Sequence, residues 1–244
     1  MAERLIVDIG STYVAWRLGK ESGRALHRGH PGSVVIKEAR GQPDRVVAGG
    51  VAASLALQEF AEAIDAHWGL RPMMLTATAQ AHGVRNAYAH PELLGIDRWA
   101  AIVAAYVRFG GPALVADCGT ALTVDCVDVS GRHLGGWIAP GLGLMLEALA
   151  RGTRLEALPP FASLADEKIF GADTEEAVIL GCLSAAAAAL EGARRDGSRI
   201  CGEQCRLLLT GGDAGVINGR LSPGWQLMPG LVLDGLALLA GEDL

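Results

Sequence analysis

The chain begins with an apolar run, Leu5-Ile-Val, that ends at Asp8-Ile-Gly10-Ser-Thr12 and then alternates, Val14, Trp16 and Leu18 against Tyr13, Ala15 and Arg17. This pattern predicts a hairpin of strands over about 5–10 and 12–18, and the polar Gly19–Arg24 stretch turns it into a third short strand around 25–30. A strand is expected at 46–51, an amphipathic helix at 55–68 with Leu55, Phe60, Ala63, Ile64 and Trp68 near one face, and a strand at 73–77. Pro91 and Gly95 mark 87–98 as a loop running into a helix at 99–109. A second apolar run, Ala113-Leu-Val-Ala, ends at Asp117-Cys-Gly119-Thr120 and resumes as an alternating strand over 122–129. Beyond it, 131–143 reads as a Gly/Pro loop, 144–151 as a helix, 161–168 as a weakly patterned mobile loop, and Thr174 to about Ala189 as a long helix. Cys205–Thr210 is a buried strand closed by Gly211-Gly212, and the apolar helix Leu231–Leu239 is expected to pack on the second half of the chain. Strands alternating with helices imply a layered α/β fold.

Two strand–Asp-x-Gly–Ser/Thr–strand units stand out in this pattern. A glycine there lets backbone approach a ligand closely, Thr120 offers a hydroxyl and an N–H, and Asp117 can hold a cation against phosphate oxygens. Each unit alone is equally an ordinary tight turn. Together they suggest two similar lobes, 1–110 and 111–244, each giving a hairpin tip to a shared cleft suited to a polyphosphate. Asp97 sits near a helix start, where a cap is one role and chemistry another, and Thr174 or Asp173 can cap the helix that follows. Arg17 lies two residues from Ala15 on one strand face, so it is either a solvated side chain or one that reaches back toward the turn.

Composition narrows the classes. Half of the 244 residues are apolar, which excludes global disorder, and the net charge of −6 argues against a nucleic-acid binder. No uninterrupted apolar run reaches membrane-spanning length and Met-Ala-Glu-Arg does not read as a signal peptide, so a cytoplasmic protein without membrane partners is expected. The five cysteines, Cys118, Cys126, Cys182, Cys201 and Cys205, are odd in number and lie in apolar surroundings. They fit reduced thiols better than a disulfide framework, with a zinc site at Cys201 and Cys205 a minor alternative.

Asp8-Ile-Gly10-Ser-Thr12, Gly95-Ile-Asp97-Arg98 and Asp117-Cys-Gly119-Thr120-Ala-Leu-Thr123-Val-Asp125 resemble the three motifs of type III pantothenate kinases, members of the actin-like superfamily of acetate and sugar kinases. The resemblance implies two ribonuclease-H-like (actin-like) lobes with a nucleotide cleft between them. It also implies ATP-dependent phosphorylation of pantothenate, the first step of coenzyme A biosynthesis. Residue by residue, it implies Asp97 as the catalytic carboxylate that accepts the hydroxyl proton. Tyr88, Gly95, Ile96, Arg98 and Thr174 would contact substrate, Thr174 across a homodimer interface. Asp8, Ile9, Gly10, Ser11, Thr12, Gly119 and Thr120 would bind ATP, with Mg²⁺ arriving on the nucleotide. Asp117 would bind a monovalent cation, K⁺ or NH₄⁺. Ser11 and Ala15 stand where the family's first motif usually has Asn and Lys. A kinase of another small hydroxyl acceptor, and a non-catalytic or regulatory member of the family, remain the alternative readings.

Overall fold

The computed structural model describes residues 3–152 and 168–242, so the segment expected as a loop at 161–168 lies, but for Lys168, outside the described residues. The chain divides into two compact units, Met1–Gly110 with Gly230–Leu244, and Gly111–Pro229.

In the first unit, β1 (Arg4–Ile9), β2 (Tyr13–Leu18) and β3 (Glu21–Leu26) form an antiparallel meander, and β4 (Arg45–Gly50) and β5 (Met73–Leu75) run parallel to β1. The sheet order is β3-β2-β1-β4-β5, and β6 (Gln80–Ala81) and β7 (Val84–Arg85) form a separate antiparallel pair. Alternation sends Leu5, Val7 and Ile9 of β1 and Val14, Trp16 and Leu18 of β2 to one face, where they pack on Val35 of α1 (Pro31–Glu38) and on Phe60 and Ile64 of α2 (Ser54–Trp68). The opposite face carries α3 (Ile96–Phe109) and α7 (Leu231–Leu239): a Cβ on Gly49 of β4 would strike Leu236 of α7 and Ile96 of α3.

α7 therefore belongs to the first unit, not to the second half as its position in the chain suggests. The reason is local chemistry. Gly235 lies so close to the Ala100 carbonyl of α3 that no Cβ fits, and Leu231, Leu233, Leu236 and Leu238 are buried. His82 Nε2 meets the Leu238 carbonyl at 2.9 Å, and Asp234 takes ion pairs from Arg17 at 2.5 Å and Arg108 at 3.7 Å.

The second unit repeats the plan. β8 (Ala113–Cys118), β9 (Ala121–Val127) and β10 (His133–Pro140) form the meander, and β11 (Arg206–Thr210) and β12 (Trp225–Leu227) run parallel to β8 in the order β10-β9-β8-β11-β12. β10 replaces the expected Gly/Pro loop. It is an edge strand with a bulge between His133 and Gly135, and an edge tolerates its glycines and Pro140. Leu114, Ala116, Leu122 and Val124 pack on Ile179, Leu183, Ala186 and Leu190 of α5 (Thr174–Cys201). α5 is long and apolar enough by composition to cross a membrane, but its inward face forms this core. α4 (Leu142–Gly152) and α6 (Ala214–Asn218) complete the unit.

Candidate active site

Asp8 and Asp117 occupy equivalent places, each in the central strand that leads into a Gly-containing turn, and each is half-buried. In the first turn Gly10 N–H donates to the Tyr13 carbonyl at 3.0 Å, leaving Gly10, Ser11 and Thr12 at the tip. Ile9 is fully buried, so its backbone but not its side chain is offered to a ligand. In the second turn Gly119 N–H donates to the Ala121 carbonyl at 3.1 Å, and Gly119 and Thr120 form the tip.

The second turn is packed backbone against backbone. A Cβ on Gly141 would fall on the carbonyl oxygens of Gly119 and Thr120, and one on Gly211 would fall on Asp117 Oδ1 and the Cys118 carbonyl. Gly141 N–H donates to Thr120 O at 3.0 Å and Asp213 N–H to Cys118 O at 2.9 Å. Asp117 thus stands among backbone carbonyls. One carboxylate with neutral carbonyl oxygens is a donor set suited to a hard, weakly hydrated monovalent cation. Among the described residues no group of three or more His, Cys, Asp or Glu is placed to hold a metal, the Cys201–Cys205 pair included. The Cys118 thiol is pushed up to about 12 by burial and by the neighbouring Asp117 and Asp213 carboxylates, which makes it an inert, protonated part of the turn at neutral pH.

α3 begins at Ile96 and not at the expected 99, so the Gly95–Arg98 segment opens the helix instead of preceding it. Gly95 is the N-cap residue and makes no side-chain cap bond, so Asp97 is a first-turn residue and not the cap. Asp97 Oδ1 accepts the Arg98 N–H at 2.8 Å. A Cβ on Gly95 would sit 2.5 Å from Asp97 Oδ1, so this glycine is required for space while its φ of −53° is ordinary. Ile96 is buried and anchors the helix start. Arg98 is only 6 % exposed, and its Nη1 donates to the Tyr88 hydroxyl at 3.1 Å. Asp97, Arg98 and Tyr88 thus form one constellation: a carboxylate, a fixed guanidinium and a phenol.

At the head of α5 the cap is Asp173, whose side chain accepts the Glu176 N–H at 2.9 Å, so Thr174 is the first helical residue and is exposed. Glu176 is held below its usual range by the Ala172 N–H and by Lys168. Between α4 and α5 runs an apolar groove of about 910 Å³ bordered by Leu144, Met145, Leu149, Thr174, Val178 and Ala185.

Arg17 does not reach the first turn. Its guanidinium is committed to Asp234 and the Leu233 carbonyl of α7, which corrects the idea that it replaces a lysine at position 15. Sequence reading also missed two buried polar contacts, His133 Nε2 to Asp125 Oδ1 at 2.9 Å and His27 Nε2 to the Gly10 carbonyl at 3.0 Å. Only a histidine close behind a turn pattern hinted at the second.

Comparison with known proteins gives the family and the fold. The sequence profile described as Type III pantothenate kinase matches residues 4–196. A type III pantothenate kinase of Halorhodospira halophila is 35 % identical, with 96 % of this chain and 96 % of that protein covered. One from Laribacter hongkongensis is 37 % identical, with 97 % and 98 % covered. Among solved structures, a Baf-family protein of Campylobacter jejuni superposes with a TM-score of 0.60 at 19 % identity, covering 97 % of each chain. The activator of the 2-hydroxyisocaproyl-CoA dehydratase from Clostridium difficile, with bound ADPNP, gives 0.55 at 13 % identity, covering 98 % and 94 %. These two likenesses establish the actin-like fold.

Proposed function

The chain belongs to the type III pantothenate kinase family, and we propose how its residues divide that family's reaction among them. It is a phosphotransferase that uses ATP to phosphorylate pantothenate in coenzyme A synthesis. Asp97 orients the acceptor hydroxyl and takes its proton. Phosphoryl transfer to an alcohol passes through a loose transition state, so the base acts late and positioning dominates. The observation that carries this role is the carboxylate on the first turn of α3, cleared of any Cβ at Gly95 and set beside Arg98 and Tyr88. Pantothenate is itself a carboxylate, and the guanidinium fixed through Tyr88 is the group to receive it.

The tip of the first turn, Asp8 to Thr12, and that of the second, Gly119-Thr120, bind nucleotide phosphates through their hydroxyls and the backbone N–H groups not spent within the turns. Asp117 would hold a monovalent cation, whose charge would offset that of the phosphates, and Mg²⁺ would arrive with ATP. The enzyme works as a cytoplasmic homodimer, the partner of each subunit covering the groove between α4 and α5 where Thr174 is exposed. Ile169 and Phe170, 67 % and 85 % exposed beside that groove, support this reading, because such residues favour burial against another surface.

The test is ADP release coupled to pantothenate addition, run with and without potassium. Pantothenate-dependent turnover that falls by about tenfold without potassium, the scale of one lost charge contact, is expected. Equal rates in both buffers would remove the cation role from Asp117. A monomer active at assay concentration, by light scattering, would remove the dimer.

A further inference from the structure

The first turn has a brace that lies outside all three motifs. His27 follows β3 and is 4 % exposed. Its Nδ1 accepts the Gly29 N–H at 3.0 Å, and a backbone N–H donates only to an unprotonated ring nitrogen. The proton of the neutral imidazole is therefore on Nε2, which lies 3.0 Å from the Gly10 carbonyl and donates to it. The His27 N–H also donates to the Thr12 carbonyl at 3.2 Å, and the His27 carbonyl accepts the His30 N–H at 2.8 Å ahead of α1. Arg28 at φ 48° and Gly29 at φ 89° hold the left-handed backbone that swings the Gly29 N–H onto the ring.

One residue thus ties both ends of the Gly10–Thr12 tip to a fixed corner of the unit, Gly10 through its imidazole and Thr12 through its backbone N–H. With the Gly10 and Thr12 carbonyls pinned from behind, the peptide planes of the tip are oriented before a ligand arrives, and N–H groups set in advance cost no reorganisation on binding. We propose that His27 is a positioning residue for nucleotide binding, holding the Gly10 carbonyl through Nε2–H so that the first turn presents its N–H groups to the phosphates of ATP. The proposal rests on the phosphate-binding role assigned above to that turn.

Two replacements separate the two ends of the imidazole. A glutamine amide nitrogen stands three bonds from Cβ, as Nε2 does, and can still donate to Gly10. An asparagine oxygen stands two bonds from Cβ, as Nδ1 does, and can still accept from Gly29 while losing the Gly10 contact. Steady-state kinetics on the full-length enzyme are expected to show His27→Ala and His27→Asn with the KM for ATP raised about tenfold and kcat within about twofold. His27→Gln should stay within about threefold of the parent KM. A general packing role would instead lower the thermal midpoint and the amount of active enzyme, with KM unmoved. Glutamine and asparagine variants with equal KM for ATP, or an alanine variant with the parent KM, would overturn the proposal. Gly10→Ala is the control: if it too leaves the KM for ATP unchanged, the turn's phosphate role fails. If Gly10→Ala raises the KM and His27→Ala does not, that role stands and only the brace is wrong.

Discussion

The Asp8 turn and the Asp117 turn begin from the same plan and are supported in different ways. Both leave the central strand of a five-stranded sheet, a strand with one antiparallel and one parallel partner. The first is one residue longer, because Ile9 pairs with Val14 across it whereas Cys118 pairs with Leu122. It is braced by a side chain, His27. The second is packed against main chain, with Gly141 and Gly211 where no Cβ could stand. A side-chain brace can be lengthened, shortened or exchanged, while a backbone brace admits only glycine. A repeated scaffold therefore leaves one copy of a site adjustable and the other fixed.

The sharpest way to break this contrast is Gly211→Ala. The new methyl meets Asp117 and Cys118 in a residue held at φ 94°, so strain and overpacking together should cost about 3 kcal/mol or more, read as a lowered midpoint in urea. A midpoint equal to that of the parent would mean the second turn is as adjustable as the first. Asp97→Asn comes next and lies outside both turns. It should lower kcat by about 10²-fold or more while the KM for ATP stays put, and turnover within a few-fold of the parent would take the base role away from Asp97. Exchanging each turn's own glycine gives a smaller and graded effect. A Cβ on Gly10 would lie 3.0 Å from the Tyr13 carbonyl, whereas one on Gly119 would lie 3.4 Å from Asp117 Oδ1, an ordinary contact. Gly10→Ala should raise the KM for ATP about tenfold, or ~1.4 kcal/mol, and Gly119→Ala by less; the reverse order would show that free space at the tip does not govern phosphate binding. Smallest is Arg17→Ala, expected to cost about 1 kcal/mol of stability through the partly exposed Asp234 pair and to leave ATP kinetics alone. A raised KM there would return Arg17 to the nucleotide site.

What the sequence disclosed depended on how local the cause was. The hairpins of both units were legible because period-two alternation and an Asp-x-Gly turn are written in adjacent residues. α1 was not. Its eight residues lack a side-chain cap of their own, and Gly32 and Ser33 N–H groups are instead capped by Glu59 of α2, 2.8 and 3.2 Å away. β10 was masked by Gly135 and Gly136, which form a strand because β9 supplies the pairing. At the site, the family resemblance named Asp97, Arg98, Tyr88 and Asp117, but not the contact between Arg98 and Tyr88, which only the fold reveals. The roles of His27, Gly141 and Gly211 were hidden because each acts through a backbone carbonyl contributed by a distant segment. The partner of Arg17 was hidden for a related reason: strand geometry gave its face, but Asp234 lies 217 positions away.

The return of α7 to the first unit has a consequence for synthesis. Residues 111–229 form the second unit in one continuous piece, so everything that unit packs has left the ribosome before α7 is made. The first unit is begun earlier and finished later: Gly49 awaits Leu236, Ala100 awaits Gly235, and Arg17 and Arg108 await Asp234. Until residues 230–244 emerge, part of one face of the sheet that carries Asp8 and of the helix that carries Asp97 stays uncovered. A nascent chain paused near Pro229 would expose apolar surface on the half translated first, which makes that half the part a chaperone would need to shield.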